Sequence, residues 1–224
     1  TEQVEALFPS NSKIDQYWKR ALLDITRPSA RSLVVQLDAT ICPMGYNPLA
    51  APYDPSRGQG ADTNGSTNAG KKGSFLAYCR EQKEKYPDCV ILTRCGDFYG
   101  TFGLDAVLLV EHCGLNAMAG KAKAGCPVRN VQATIDGLCQ SGFKVAVYEE
   151  AAETSGKSRL KSRFLAQIVS SGSPAYLYDL VLATHADALV TATSARPFVG
   201  IVAQNSGYTL VEVSLDERSL RLSE

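Results

Sequence analysis

Between residues 74 and 150 the sequence alternates twice between helical and strand periodicity, which restricts that stretch to a mixed α/β sheet. Ser74 is placed as an N-cap, and Phe75, Cys79, Gln82 and Tyr86 fall on one helical face before Pro87 closes the helix. Cys89–Cys95 reads CVILTRC, a strand whose continuous apolar start predicts burial on both faces. Gly96 and Asp97 turn the chain. Residues 103–113 are apolar nearly all round, as a buried helix is, and Gly114 is its C-cap. Residues 124–128 form a short extended piece. Asn130 caps a helix with Val131, Thr134, Ile135 and Leu138 at i, i+3, i+4 and i+7, Gly142 ends it, and residues 143–149 alternate as a strand.

The flanks read differently. Ile14, Trp18, Ala21, Leu22 and Ile25 recur at helical spacing in a peripheral helical arm that Pro28 ends, and residues 32–40 (SLVVQLDAT) read as a strand. Residues 43–73 are dense in Gly, Pro, Asn and Ser without periodicity, which predicts a long loop or mobile linker. After a polar turn, residues 157–169 end in a strand. Phe198–Gln204, 208–215 and 219–222 are strand-like runs separated by NSG and DER turns, a β-meander that reads as the opening of a second domain. The expected segments are an arm with a short strand over 1–42, a linker over 43–73, an α/β domain over 74–156 and a β-rich segment over 157–224.

Composition excludes several classes. Of the 224 residues 45% are apolar, so the chain is not disordered, yet runs such as 106–110 are far short of the ~20 residues of a membrane span. Lys+Arg and Asp+Glu number 23 each, without the basic excess that phosphate binding usually leaves. Seven cysteines, an odd count without a CxxC pair, exclude a zinc ribbon or thioredoxin motif and point to buried thiols in a reducing compartment. Thr1 opens the sequence without Met or a secretory core, which leaves any targeting segment outside it.

Catalytic groupings are equally scarce. His112 and His185 lie far apart; the adjacent Glu111, His112 and Cys113 point in different directions on a helix, so His112 reads as a C-terminal helix cation, not a metal ligand. Glu149 and Glu150 face opposite sides of a strand, and the SGSP at 171–174 lacks nucleophile-elbow spacing. No GxxxxGK[ST] run occurs. No enzyme, metal, cofactor or small-molecule substrate is therefore expected of these residues.

The order GDFYGTFGLDA (96–106), HCGLNAM (112–118) and KAGCPVRNVQATIDGLCQSGFKVAVYEE (123–150) resembles the N-terminal mismatch-recognition domain of the MutS family. The later run KSRFLAQIVSSGSPAYLYDLV is similar to the next segment of that family, and the tail to the first strands of its connector domain. The resemblance begins at Ser74; residues before it carry no match. It implies a MutS N-terminal-like mixed sheet flanked by helices, followed by a β-rich connector-like segment. The wording around AGCPV resembles the plant organellar branch, which implies an organelle, plastid or mitochondrion.

By that resemblance Phe98 is the ring that enters the minor groove and stacks on a mispaired base; the other reading of Phe98 and Tyr99 is a pair of packing aromatics. The family places a Glu two residues on, where this sequence has Gly100, and the family's ATP-driven step needs the P-loop that these residues lack. Lys157, Arg159, Lys161 and Arg163 alternate, so an extended backbone sets them roughly 6–7 Å apart on one face, either tracking phosphates or protecting an edge strand. Lys121, Lys123 and Arg129 form a smaller basic cluster. Two functions remain: a DNA-binding module partnered by mismatched duplex, or a structural protein that keeps the fold and uses its edges and the Trp18 arm for self-assembly or protein contacts.

Overall fold

The apolar run at Cys89 becomes the centre of the main sheet, in a computed structural model of the chain. The structure describes residues 2–10, 12–39, 45–46, 74–151, 162–176, 198–204, 207–214 and 219–223. They form two compact units, Thr1–Pro174 and Ala175–Glu224.

In the first unit, strands β1 (Cys89–Cys95), β2 (Phe98–Phe102), β3 (Lys123–Pro127), β4 (Lys144–Glu150) and β5 (Arg163–Val169) form a sheet of order β3-β2-β1-β4-β5. β1 and β4 run parallel and the other pairs antiparallel, so the sheet is mixed as the alternation predicts. β1 is buried because both faces are covered. On one face Cys89, Ile91, Ala146 and Tyr148 pack with Tyr78 and Tyr86 at helix α4 (Phe75–Lys85). Helices α5 (Leu104–Cys113) and α6 (Val131–Gln140) cover the other. Ser74 caps α4 by accepting from the Ala77 amide at 3.1 Å, and Gly114 ends α5 at φ +65°, a conformation that suits glycine. Asn130 stands at the N-cap of α6 without a side-chain capping bond; a short 3₁₀ turn over Val128–Asn130 leads into that helix.

The N-terminal residues depart from expectation. Helices α1 (Glu2–Leu7), α2 (Lys13–Leu23) and α3 (Pro28–Val34) precede α4, and of the strand expected over 32–40 the described residues 32–39 form none. Pro28 starts α3 at its first position instead of ending α2. Ala30 and Leu33, one helical step apart, bury completely, and this packing overrides the β preference of the Val and Leu that follow.

Nor does the arm stand apart. The buried Trp18 ring stacks on Phe143 and its indole donates to the Pro87 carbonyl at 2.7 Å. Gln36 donates to the Gly120 carbonyl at 2.9 Å. Tyr46, within the expected linker, packs on Phe102 at 5.1 Å, while residues 47–73 lie outside the described residues. At the other end β5 completes the first sheet, so this unit continues to Pro174, past the boundary expected after residue 156.

The second unit holds β6 (Phe198–Gln204), β7 (Gly207–Ser214) and β8 (Ser219–Ser223), an antiparallel meander as the turn signals predict. Val199, Ile201, Tyr208, Leu220 and Leu222 stay exposed there. No helix among the described residues is long and apolar enough to cross a membrane.

Candidate nucleic-acid interface

Strand alternation sends Phe98 and Tyr99 to opposite faces. Phe98 opens β2 just after the turn at Gly96, in register with Cys95 on one side and Pro127 on the other, and it is 49% exposed. Tyr99 is fully buried and its hydroxyl donates to Glu149. Of the two aromatics only Phe98 can meet a ligand.

The hairpin tip that carries Phe98 is tied from below. Arg94 pairs with Glu149 at 3.0 Å and also donates to the Gly96 carbonyl at 3.1 Å. The Val128 amide donates to the Asp97 carbonyl at 3.0 Å, which fixes the start of β2 against the end of β3.

Gly100 is buried on the same face as Phe98, where a Cβ would touch the Phe75 ring at 3.8 Å. No carboxylate stands at that position. Gly125, opposite Gly100, lies so close to the Tyr99 carbonyl that no side chain fits.

The basic residues divide. Arg163 is not part of an open row: its side chain is 4% exposed, it pairs with Glu150 at 2.8 Å, donates to the Arg94 carbonyl at 2.8 Å and sits over Phe75 at 4.9 Å. Lys157, Arg159 and Lys161 lie outside the described residues. The cluster of Lys121, Lys123 and Arg129 is split along β3. Lys123 is paired with Phe102 and lies over its ring at 5.5 Å, whereas the exposed Arg129 comes after Pro127, the partner of Phe98.

Sequence reasoning misses two residues: Glu149, which braces the tip, and Phe75, which fills the space at Gly100. The one available signal is a Glu in register with the apolar alternation of residues 143–149. Glu111, His112 and Cys113 do diverge, toward Thr26 and Arg27, the Phe143 ring and the Thr134 carbonyl. His112 stands in the last turn of α5, which Gly114 caps as expected, and burial holds the His112 pKa below its usual value. His185 lies outside the described residues. Among the described residues no group of His, Cys, Asp and Glu could hold a metal ion.

The fold and the tip define a mixed α/β domain that presents one aromatic ring from a braced hairpin. Residues 74–176 match MutS domain I of the MutS family. The chain is 34% identical over 203 residues to DNA mismatch repair protein MSH1, mitochondrial, of Arabidopsis thaliana, covering 88% of this chain and 16% of that protein. An alignment of that length reaches well before Ser74, so the N-terminal region is matched too. DNA mismatch repair protein MutS of Chlamydia abortus is 38% identical over 96 residues, 41% of this chain and 12% of that protein. The Chlamydia pneumoniae MutS is 43% identical over 81 residues, 35% of this chain and 10% of that protein. The chain thus spans 16% or less of these relatives' lengths, and the missing P-loop describes these 224 residues alone.

Proposed function

We propose that the first unit binds duplex DNA at mispaired sites, with Phe98 as the ring that enters the minor groove. The observation that carries this reading is the exposure of Phe98 on a tied hairpin tip whose other aromatic is buried. Unstacking a base step costs a few kcal/mol, least where pairing is already lost, so a rigid ring selects the weak step. Gly100 provides no hydrogen-bonding side chain, so selection rests on deformability alone. Arg129, Lys157, Arg159 and Lys161 are the proposed phosphate contacts, whereas Arg163 supports the sheet through Glu150. The domain acts by binding, without chemistry of its own. The name of the Arabidopsis thaliana relative supports a mitochondrial location, with the plastid as the other organelle proposed, and the six free cysteines described suit a reducing compartment.

The test is fluorescence anisotropy with matched and G·T-mismatched duplexes across a salt series. At least tenfold preference for the mismatch, about 1.4 kcal/mol, is expected, with affinity that falls with salt. Equal affinity for both duplexes rejects the reading. A second reading, assembly through protein contacts, is favoured by the exposed apolar residues on both faces of the meander, Ile201 and Leu222 among them. Light scattering that returns a self-associated particle without DNA affinity would decide for it.

A further inference from the structure

We infer that Glu149 is a positioning residue for Phe98, an inference that rests on the wedge reading above. Glu149 lies on β4, two strands away from Phe98, and is fully buried. Its two oxygens divide between the limbs of the β1–β2 hairpin. Oε1 accepts from the Tyr99 hydroxyl, on the residue next to Phe98. Oε2 accepts from Arg94 Nη1 at 3.0 Å, and the same guanidinium reaches the turn by donating from Nε to the Gly96 carbonyl at 3.1 Å. One carboxylate therefore holds both strands and, through Arg94, the turn between them.

The tip needs this. Only Thr93, Arg94 and Cys95 of β1 pair with β2, through Gly100, Tyr99 and Phe98. On the other side Phe98 is opposite Pro127, which has no N–H to donate. Gly96 adopts φ +61° with nothing within 4 Å of the side a Cβ would occupy, so no contact on that side of Gly96 holds the turn. A buried carboxylate is a costly way to fill a sheet face. Its directional bonds fix a geometry that an apolar contact would leave loose, which is what a ring that must enter between base pairs requires.

The test uses the whole chain, a duplex with one G·T mismatch and its matched counterpart. Tyr99→Phe, which removes only the hydroxyl, and Glu149→Gln are made singly and on Phe98→Ala, with thermal melts alongside. Each is expected to lower the mismatch-to-match affinity ratio at least threefold, and to change nothing further on Phe98→Ala. A general loss of fold would weaken both backgrounds alike. The inference is overturned if Tyr99→Phe leaves the ratio unchanged, or if its loss persists in full on Phe98→Ala. If Phe98→Ala itself leaves the ratio unchanged, the wedge reading fails and takes this inference with it. Should Glu149→Gln not fold, Tyr99→Phe decides alone.

Discussion

Removing Glu111 should undock the N-terminal helices. Its carboxylate accepts from the Thr26 amide at 3.0 Å, the Thr26 hydroxyl at 2.6 Å and the Arg27 amide at 2.9 Å. Arg27 is the N-cap of α3 and has no capping bond from its own side chain, so a glutamate on α5 caps α3 from outside. Losing an N-cap costs ~1 kcal/mol, and a hydrogen bond to a charged group contributes ~1.5–3 kcal/mol. Water reaches the freed amides, so Glu111→Ala should cost about 2–3 kcal/mol in all, not the full sum. For a unit of this size that lowers Tm by roughly 4–12 °C. Trp18, the single tryptophan and 2% exposed, reports the docking through its emission, which should shift to the red. Acid should act at the same place. Burial raises the Glu111 pKa, but the bonds from Thr26 and Arg27 outweigh it and hold the carboxyl below its usual range. Its contribution is therefore present above the unfolded pKa and lost as pH falls through the folded one. Acidification should shift the wild-type emission in that window and leave Glu111→Ala flat. An unchanged Tm and an emission shift with pH identical in both proteins would refute this reasoning.

Other perturbations have equally direct readouts. Lys83 and Asp105 form a buried pair at 2.6 Å beneath Trp18, so Asp105→Ala should cost ~3–5 kcal/mol in urea unfolding. Lys83→Met with Asp105→Leu should recover most of that loss; a double variant as unstable as the single one contradicts it. Gly125→Ala drives a methyl against the Tyr99 carbonyl, with the Gly100 Cα at 3.2 Å, and should cost ~1–3 kcal/mol and weaken mismatch binding. A wild-type Tm would show that β2 and β3 have room. Burial pushes the Cys79, Cys89 and Cys113 thiols up to about 12, while Cys95 is exposed in register with Phe98. Among the six described cysteines a thiol reagent should modify Cys95 first, and duplex DNA should slow that reaction. Modification unaffected by bound DNA would place the interface elsewhere.

The sequence is most readable where the determinants are local. The apolar start of β1 and Gly114 at the end of α5 each act within a few residues, and each lies where the pattern puts it. The opposite orientations of Phe98 and Tyr99 follow from strand alternation alone. The unreadable part is non-local. Trp18 is buried by Phe143 and the Pro87 carbonyl, far along the chain, so from sequence its helix has the look of a peripheral arm. Glu149 takes its partners Arg94 and Tyr99 from β1 and β2, 55 and 50 residues upstream. Arg163 fits an alternating basic row in sequence, but its pairing with Glu150 across the β4–β5 connection turns its charge inward. Pro28 is ambiguous because proline both stops a helix and starts one, and only the burial of Ala30 and Leu33 decides between them.

The central claim is that Phe98 enters DNA at a weak step. The most direct measurement places 2-aminopurine beside a G·T mismatch and tracks its fluorescence as the protein is added, since the probe brightens when its stacking is lost. Brightening is predicted with the wild-type chain, little with Phe98→Ala, and little on a matched duplex. Equal brightening by the wild type and Phe98→Ala, or bound DNA whose probe stays dark, would contradict it.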